Sequence, residues 1–303
     1  ANGGADCYIV SVGSYNEKID AAKLNDPKGG GLASLEKFME PTIIVIPDAI
    51  LLDENDCYSL QAAMLQHCGY KLKNRFAILD VYEGAKERTF DEDDAVDKFR
   101  NGVGSNFLQW GASYYPFLNT TIVSKSEVDY TRIANLDGLV EVLSKEVAQN
   151  LEADNITAAR AEGITAEIDK IAETTDSDAV NSLNSTLTVI SPSLNLILGE
   201  ISEMLNVLPP SPAMAGAYTM VDSQASVAQS PANISLGSVI APLVNINNDN
   251  QEELNLPLNG KAVNAIRTFQ GKGVLVWGAR TLEGNSKDYR YVSVRRTMTF
   301  LEQ

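Results

Sequence analysis

One histidine, His67, stands in 303 residues. That scarcity excludes a histidine-rich metal site and leaves any Ser-His or Cys-His mechanism a single possible base. Cysteine is nearly as rare. Cys7, Cys57 and Cys68 are odd in number and lack C-x-x-C spacing, so they form no disulfide framework and point to a reducing compartment. No run of 18 apolar residues exists, the best candidate from Ile43 to Leu52 being broken by Pro47 and Asp48. Ala1 to Gly4 has neither a basic nor an apolar leader region, so a soluble chain without a visible address is expected. Positive charge is also short. Lys and Arg number 24 against 40 Asp and Glu, a net charge of -16, which argues against a surface built to neutralise phosphates or anionic lipid headgroups. Nucleic acid and membrane are therefore not expected as partners. No glycine-rich phosphate loop follows an apolar strand. Gly29-Gly30-Gly31 lacks the dinucleotide spacing and reads as a flexible turn, while Gly271-Lys272-Gly273 has no Ser or Thr after the lysine and reads as a hairpin turn. Internal repeats are absent. An initiator Met is absent too, and the chain opens almost directly into Cys7-Tyr8-Ile9-Val10-Ser11-Val12, so a piece of a longer polypeptide is expected.

The composition otherwise suits a folded protein: 44% hydrophobic and 21% charged residues can build a sizeable core. The length fits one large domain with an insertion, or two domains. Charge is unevenly placed. Residues 261–303 hold eight basic and three acidic residues, net +5, against net -21 over residues 1–260. A basic end on an acidic body suggests self-association or an acidic partner.

Strand-like runs occupy Tyr8 to Val12, Thr42 to Ile46 and Arg75 to Val81. The segment between the last two places Cys57, Leu60, Met64, Leu65, Cys68 and Leu72 on one helical face, a βαβ pattern. Asp53 is placed to cap that helix with Asp56 in its first turn, and Asp91 to Asp94 put negative charge at the start of the next one, where the helix dipole favours it. Phe107 to Phe117, with Trp110, Tyr114 and Tyr115, reads as one long aromatic strand.

Composition changes after Val123. From Ser124 to Val207 there are 15 acidic and five basic residues, with Tyr130 the only aromatic. Helical spacing recurs in Leu136, Leu139, Val140, Leu143 and Val147, in Ile164, Ile168 and Ile171, and in Leu194, Leu198, Ile201 and Leu205. An acidic insertion of three or four helices is expected over residues 124–207, its charged faces read as solvated surface. Beyond it, Pro212 to Asp222 suits a helix of small residues, Val263 to Phe269 and Gly273 to Ala279 suit strands, and Tyr291 to Leu301 suits a strand or a helix.

Candidates for chemistry are few. Asp48 and Asp80 follow apolar strands, where open α/β sheets place their ligands, and are the first candidates for acid, base or metal work. Short acidic residues at strand ends serve equally as turn residues and caps. Cys57 and Cys68 lie on an apolar stripe and read as small buried hydrophobes rather than as nucleophiles. Lys287, Arg290, Arg295 and Arg296 cluster in the final apolar segment. Guanidinium groups on an ordered element can form forked contacts with carboxylates of a neighbouring chain; a solvated basic face is the alternative.

The last third carries a resemblance. Pro209-Pro210-Ser211-Pro212-Ala213-Met214-Ala215-Gly216-Ala217-Tyr218, then Ser230-Pro231-Ala232-Asn233, Asn264-Ala265-Ile266-Arg267-Thr268-Phe269, Val276-Trp277-Gly278-Ala279-Arg280-Thr281-Leu282 and Tyr289-Arg290-Tyr291-Val292-Ser293-Val294-Arg295-Arg296 follow one another. In that order they resemble the tail sheath proteins of contractile phages and related injection systems. Upstream, Ala1 to Val10 is similar to the family's first core strand, Ile46-Pro47-Asp48 and Arg75 to Asp80 to its next strands, and Ser113 to Phe117 to its aromatic strand. The likeness covers residues 1–123 and 208–303. Residues 124–207 match nothing in the family, and Ser226 to Ser230 stand where many sheaths carry a Trp and a Lys.

The resemblance implies an α/β fold: a discontinuous mixed-sheet sheath core over 1–123 and 208–303, with the acidic all-helical insertion exposed. It implies no enzyme, cofactor or metal. Sheath subunits polymerise helically around an inner tube and contract to drive it through a target envelope, so the implied partners are further copies of the chain, an inner tube protein, and baseplate and tail-terminator proteins. Implied places are the bacterial cytoplasm during assembly and then a phage tail, bacteriocin-like or other contractile injection particle. Arg290, Arg295 and Arg296 are the implied contacts to the tube or a neighbouring subunit. Sheaths continue into terminal arms that link subunits, so the 303 residues by themselves are expected to be monomeric. The alternatives are a non-contractile phage or baseplate subunit of similar fold, and an α/β enzyme using Asp48, Asp80 or His67.

Overall fold

The runs around Ile43 and Phe76 pair as parallel neighbours, and the sheet grows outward from them. In a computed structural model describing residues 2–14 and 17–302, strands Ile43–Ile44 (β1), Phe76–Asp80 (β2) and Gly111–Tyr115 (β3) are accompanied by six more. These are Asn264–Phe269 (β8) and Gly273–Val276 (β9), with Leu118–Thr120 (β4), Val207–Leu208 (β5), Ile234–Ser235 (β6) and Val239–Pro242 (β7) completing the set. The main sheet has the order β1-β2-β3-β8-β9-β6. β1, β2, β3 and β8 run parallel, and β9 turns back antiparallel to both β8 and β6. The chain divides into two compact units, one of Ala1–Thr120 with Leu208–Gln303 and one of Thr121–Val207.

In the first unit the sheet is covered on both faces, as parallel strands require. β2 shows how sequence produces this: all five of its residues are buried. Ala77 and Leu79 point into one cluster with Tyr58, Met64, Leu65, Val96 and Phe99. Phe76 and Ile78 point into the opposite cluster with Met214, Ala217, Tyr218, Ile266 and Val292. Side chains alternate across a strand, so an unbroken apolar run can only be satisfied by a layer on each side. Helices Glu54–Gln66 and Ala95–Gly102 supply one layer, and helices Ser211–Gln224 and Val292–Glu302 the other. Asp94 caps helix Ala95–Gly102 by accepting from the amides of Val96 and Asp97. The same carboxylate takes Arg88 Nε at 2.8 Å, and Arg88 reaches Glu253 at 2.6 Å. Arg100 also bonds to Glu253, which ties this stretch to helix Asn248–Asn255.

The second unit is all helical: Leu136–Glu152, Ala158–Asp169, Ser177–Ile190 and Pro192–Leu205. Each helix begins at a side chain that accepts a backbone amide of its first turn, from Asn135, Thr157, Asp176 and Ser191 in turn. These caps satisfy donors that a helix start leaves unpaired. The buried stripes are Leu139, Leu143 and Val147, then Ile164 and Ile168, then Leu183 and Leu187, then Leu194 and Leu198, and they form one core. For Leu136–Glu152, Ala158–Asp169 and Pro192–Leu205 this is the three-to-four spacing read from the sequence; the stripe of Ser177–Ile190 is an addition from the structure.

Several expected elements differ. Tyr8 to Val12 forms no strand; the segment is irregular and mostly exposed, with Ile9 at 88%. High strand propensity does not make a strand without a neighbouring edge, and the Tyr8 ring instead packs on Phe38 at 5.1 Å. Asp53 holds the cap position of helix Glu54–Gln66, but its side chain accepts no hydrogen bond there. The long strand expected over Phe107 to Phe117 is three pieces. Phe107 takes the left-handed conformation at φ 58°, Leu108–Trp110 is a turn of 3-10 helix, and only Gly111–Tyr115 pairs in the sheet. Pro116, which lacks an amide donor, separates it from β4. Tyr291 to Leu301 resolves as helix Val292–Glu302.

Candidate functional site

The three residues weighed for an enzymatic mechanism are not brought together. His67 is buried, and its Nε2 lies 3.2 Å from Nη1 of Arg75, just before β2 begins. Burial and the Arg75 charge push its pKa down to about 4. Asp80 closes the far end of β2, five residues and therefore roughly 16 Å along the strand from Arg75. Its carboxylate accepts the Ser211 amide at 2.8 Å and the Ser211 hydroxyl at 2.5 Å. Asp48 is exposed on the turn Pro47–Leu51. Cys57 and Cys68 are buried, and desolvation raises both thiols to about 12, away from nucleophilic use. Among the described residues no group of three or more His, Cys, Asp or Glu side chains is placed to hold a metal. A depression of about 370 Å³ lies in the helical unit, lined by Val142, Lys145, Glu146, Gln149, Asn150 and Ser193, none of them a residue of that set.

The basic cluster near the C-terminus is differently placed from a solvated face. Arg295 and Arg296 lie on the inward side of helix Val292–Glu302, with side chains 3% and 7% exposed. The Arg295 guanidinium sits 4.3 Å from the Trp110 ring and 4.6 Å from the Tyr289 ring, and its Nη2 donates to Glu302 at 2.8 Å. Arg296 makes the forked contact expected of a guanidinium, but the carboxylate is Asp222 of the same chain: Nη1 donates to Oδ1 at 2.9 Å and Nη2 to Oδ2. It also stacks 5.0 Å above Tyr218, whose hydroxyl meets that of Tyr114 at 2.7 Å. Arg290 is half-buried and donates from Nε to the Ser286 carbonyl at 2.8 Å. Of the three, Arg290 keeps the most contact with solvent.

The outward side of that helix presents what the sequence reading did not single out. Tyr291, Val294, Met298 and Leu301 are all exposed, Leu301 at 69%. Their spacing of three, four and three residues puts them on one stripe, the pattern of a helix that packs on another helix. The spacing was visible in the sequence. What it lacked was the knowledge that residues 292, 295, 296 and 299, rather than this stripe, face the core.

No helix among the described residues is long and apolar enough to cross a membrane. No protein-family model matches the sequence, and no curated protein is similar to it. Solved structures do match. The chain superposes on a chain of the anti-feeding prophage (AFP) baseplate in contracted state with a TM-score of 0.55 and 20% identity, over 93% of this chain and 51% of that one. It is similar also to the PVC sheath complex in contracted state from an extracellular contractile injection system, with a TM-score of 0.48, 22% identity and coverage of 90% and 49%. The AFP helical sheath in contracted state gives 0.47, 23%, 92% and 50%. The chain thus spans about half the length of the chains it matches. The first of these superpositions establishes the shared fold: an α/β core with a mixed sheet.

Proposed function

We propose that the chain is a structural subunit of a contractile sheath, one that polymerises helically around an inner tube and contracts to drive that tube through a target envelope. The observation that carries this reading is the superposition over nearly the whole chain on a component of a contracted injection particle. Asp48, Asp80 and His67 do not converge, and the work of such a subunit is done by interfaces. Contraction requires rigid bodies that exchange one set of neighbour contacts for another, and a doubly covered sheet is a suitable rigid body. The partners of this reading are further copies of the chain, an inner tube protein, and baseplate and terminator proteins. Its setting is the bacterial cytoplasm during assembly and a phage tail or injection particle afterwards. In this reading Arg290, the most solvent-accessible of the three arginines, is the one that contacts a tube or neighbouring subunit. Arg295 and Arg296 act behind it by holding helix Val292–Glu302 in place. A baseplate subunit of the same fold that never contracts is the second reading, favoured by the fact that the superposed chain belongs to a baseplate.

Self-association is the shared requirement of both readings. Two differently tagged copies of the complete polypeptide that carries this sequence are expected to co-purify when expressed together. Recovery of each copy alone, under conditions where both are soluble, would overturn both.

A further inference from the structure

Asp80 is a carboxylate sealed in the core, 3% exposed, at the end of the central strand β2. Among the described residues no cation is one of its partners. Both oxygens are taken by one residue, Ser211: the amide donates to Oδ1 at 2.8 Å and the hydroxyl contacts Oδ2 at 2.5 Å. The main-chain carbonyl of Asp80 accepts from Gln61 Nε2 at 2.7 Å. Ser211 is the first residue of helix Ser211–Gln224, which packs on the sheet through Met214, Ala217 and Tyr218. The contact spans 131 positions and joins the chain ahead of the helical unit to the chain that follows it.

Elements packed on β2 bring other titratable groups into the region. Tyr114 on β3 pairs opposite Asp80 and shares a hydrogen bond with Tyr218. Helix Glu54–Gln66 carries Cys57, Tyr58, Glu54 and Asp56, and helix Ser211–Gln224 carries Tyr218 and Asp222, the latter engaged by Arg296. None of them donates to the Asp80 carboxylate. An ionised carboxylate in such surroundings is costly, and two hydrogen bonds offset only part of the lost hydration.

We propose that the Asp80–Ser211 contact is a proton-gated staple: protonated, it locks helix Ser211–Gln224 to β2, and ionised, it loosens the junction between the two halves of the core. Burial, opposed by the two Ser211 bonds, raises the Asp80 pKa to about 7. An unfolded aspartate titrates near 4, so the folded state holds the extra proton between about 4 and about 7. The stabilisation is therefore complete below pH 4 and lost as pH rises through 7. His67 opposes this. Its lowered pKa means that stability is lost as pH falls below the ordinary histidine value toward about 4, so the two groups partly cancel in the whole chain.

The test is urea denaturation of the chain and of Asp80→Asn between pH 5 and pH 8. Asn keeps an acceptor for the Ser211 amide but cannot ionise. The ratio of wild-type to variant folding constants is expected to fall on the order of a hundredfold across that interval, and the variant alone should gain stability with rising pH. A ratio that stays constant overturns the proposal. Should Asp80→Asn not fold, amide exchange of residues 211–214 in the unmodified chain decides the matter once intrinsic rates are removed. Protection that falls as pH rises from 5 to 7 and then levels off supports the staple, and protection independent of pH overturns it.

Discussion

Arg295 and Arg296 are adjacent in sequence yet held by different chemistry. Arg295 lies between two aromatic rings, and Arg296 forks onto a carboxylate and stacks on a tyrosine. Nothing local in the sequence distinguishes them from surface arginines, because Trp110 and Asp222 arrive from 185 and 74 positions away. The pair was legible as a basic cluster with a preference for forked contacts; that its carboxylate would be intramolecular was not. Arg296→Ala leaves Asp222 without its partner inside a crowded site and is expected to cost about 3 kcal/mol in urea denaturation. Asp222→Ala leaves the more deeply buried Arg296 charge, 7% exposed, without its carboxylate and should cost a similar amount. The double variant should fall short of the sum, and strict additivity would show that the fork carries no coupling.

At the scale of elements, patterns were readable where one face or both faces carry apolar residues. β2 and the stripes of the helical unit follow their sequence spacing because burial alone decides them. Tyr8 to Val12 and Phe107 to Trp110 escaped because pairing depends on an available edge and on backbone conformation, neither of which propensity reports. Close approach is another property that spacing does not reveal. At Gly102, the last residue of helix Ala95–Gly102, an added Cβ would stand 2.1 Å from the Tyr58 ring, itself packed edge-on against Phe99. A methyl there must push Tyr58 or the helix outward. Gly102→Ala is thus expected to destabilise by about 1–3 kcal/mol, despite the higher helix propensity of alanine. An unchanged or raised unfolding midpoint would contradict this packing.

At the scale of the whole molecule, Thr121–Val207 has its own core and its own capped helices. A segment with these properties can fold alone. Produced separately, residues 121–207 should give a helical circular dichroism spectrum and a cooperative thermal transition; a non-cooperative melt would mean that the unit depends on the rest of the chain. The assembly reading rests on a superposition that covers 93% of the chain, more than the sheet-bearing unit by itself, on a chain about twice as long. Fold was legible in the ordered motifs between Pro209 and Arg296, but an assembly cannot be read from one subunit, since its contacts lie between copies. The most direct measurement is electron microscopy of the complete polypeptide expressed together with the inner tube protein that the proposed function calls for. Striated cylinders found in a long, narrow form and a short, wide form are the expected result. Monodisperse particles that never form cylinders, with both proteins soluble, would contradict the account.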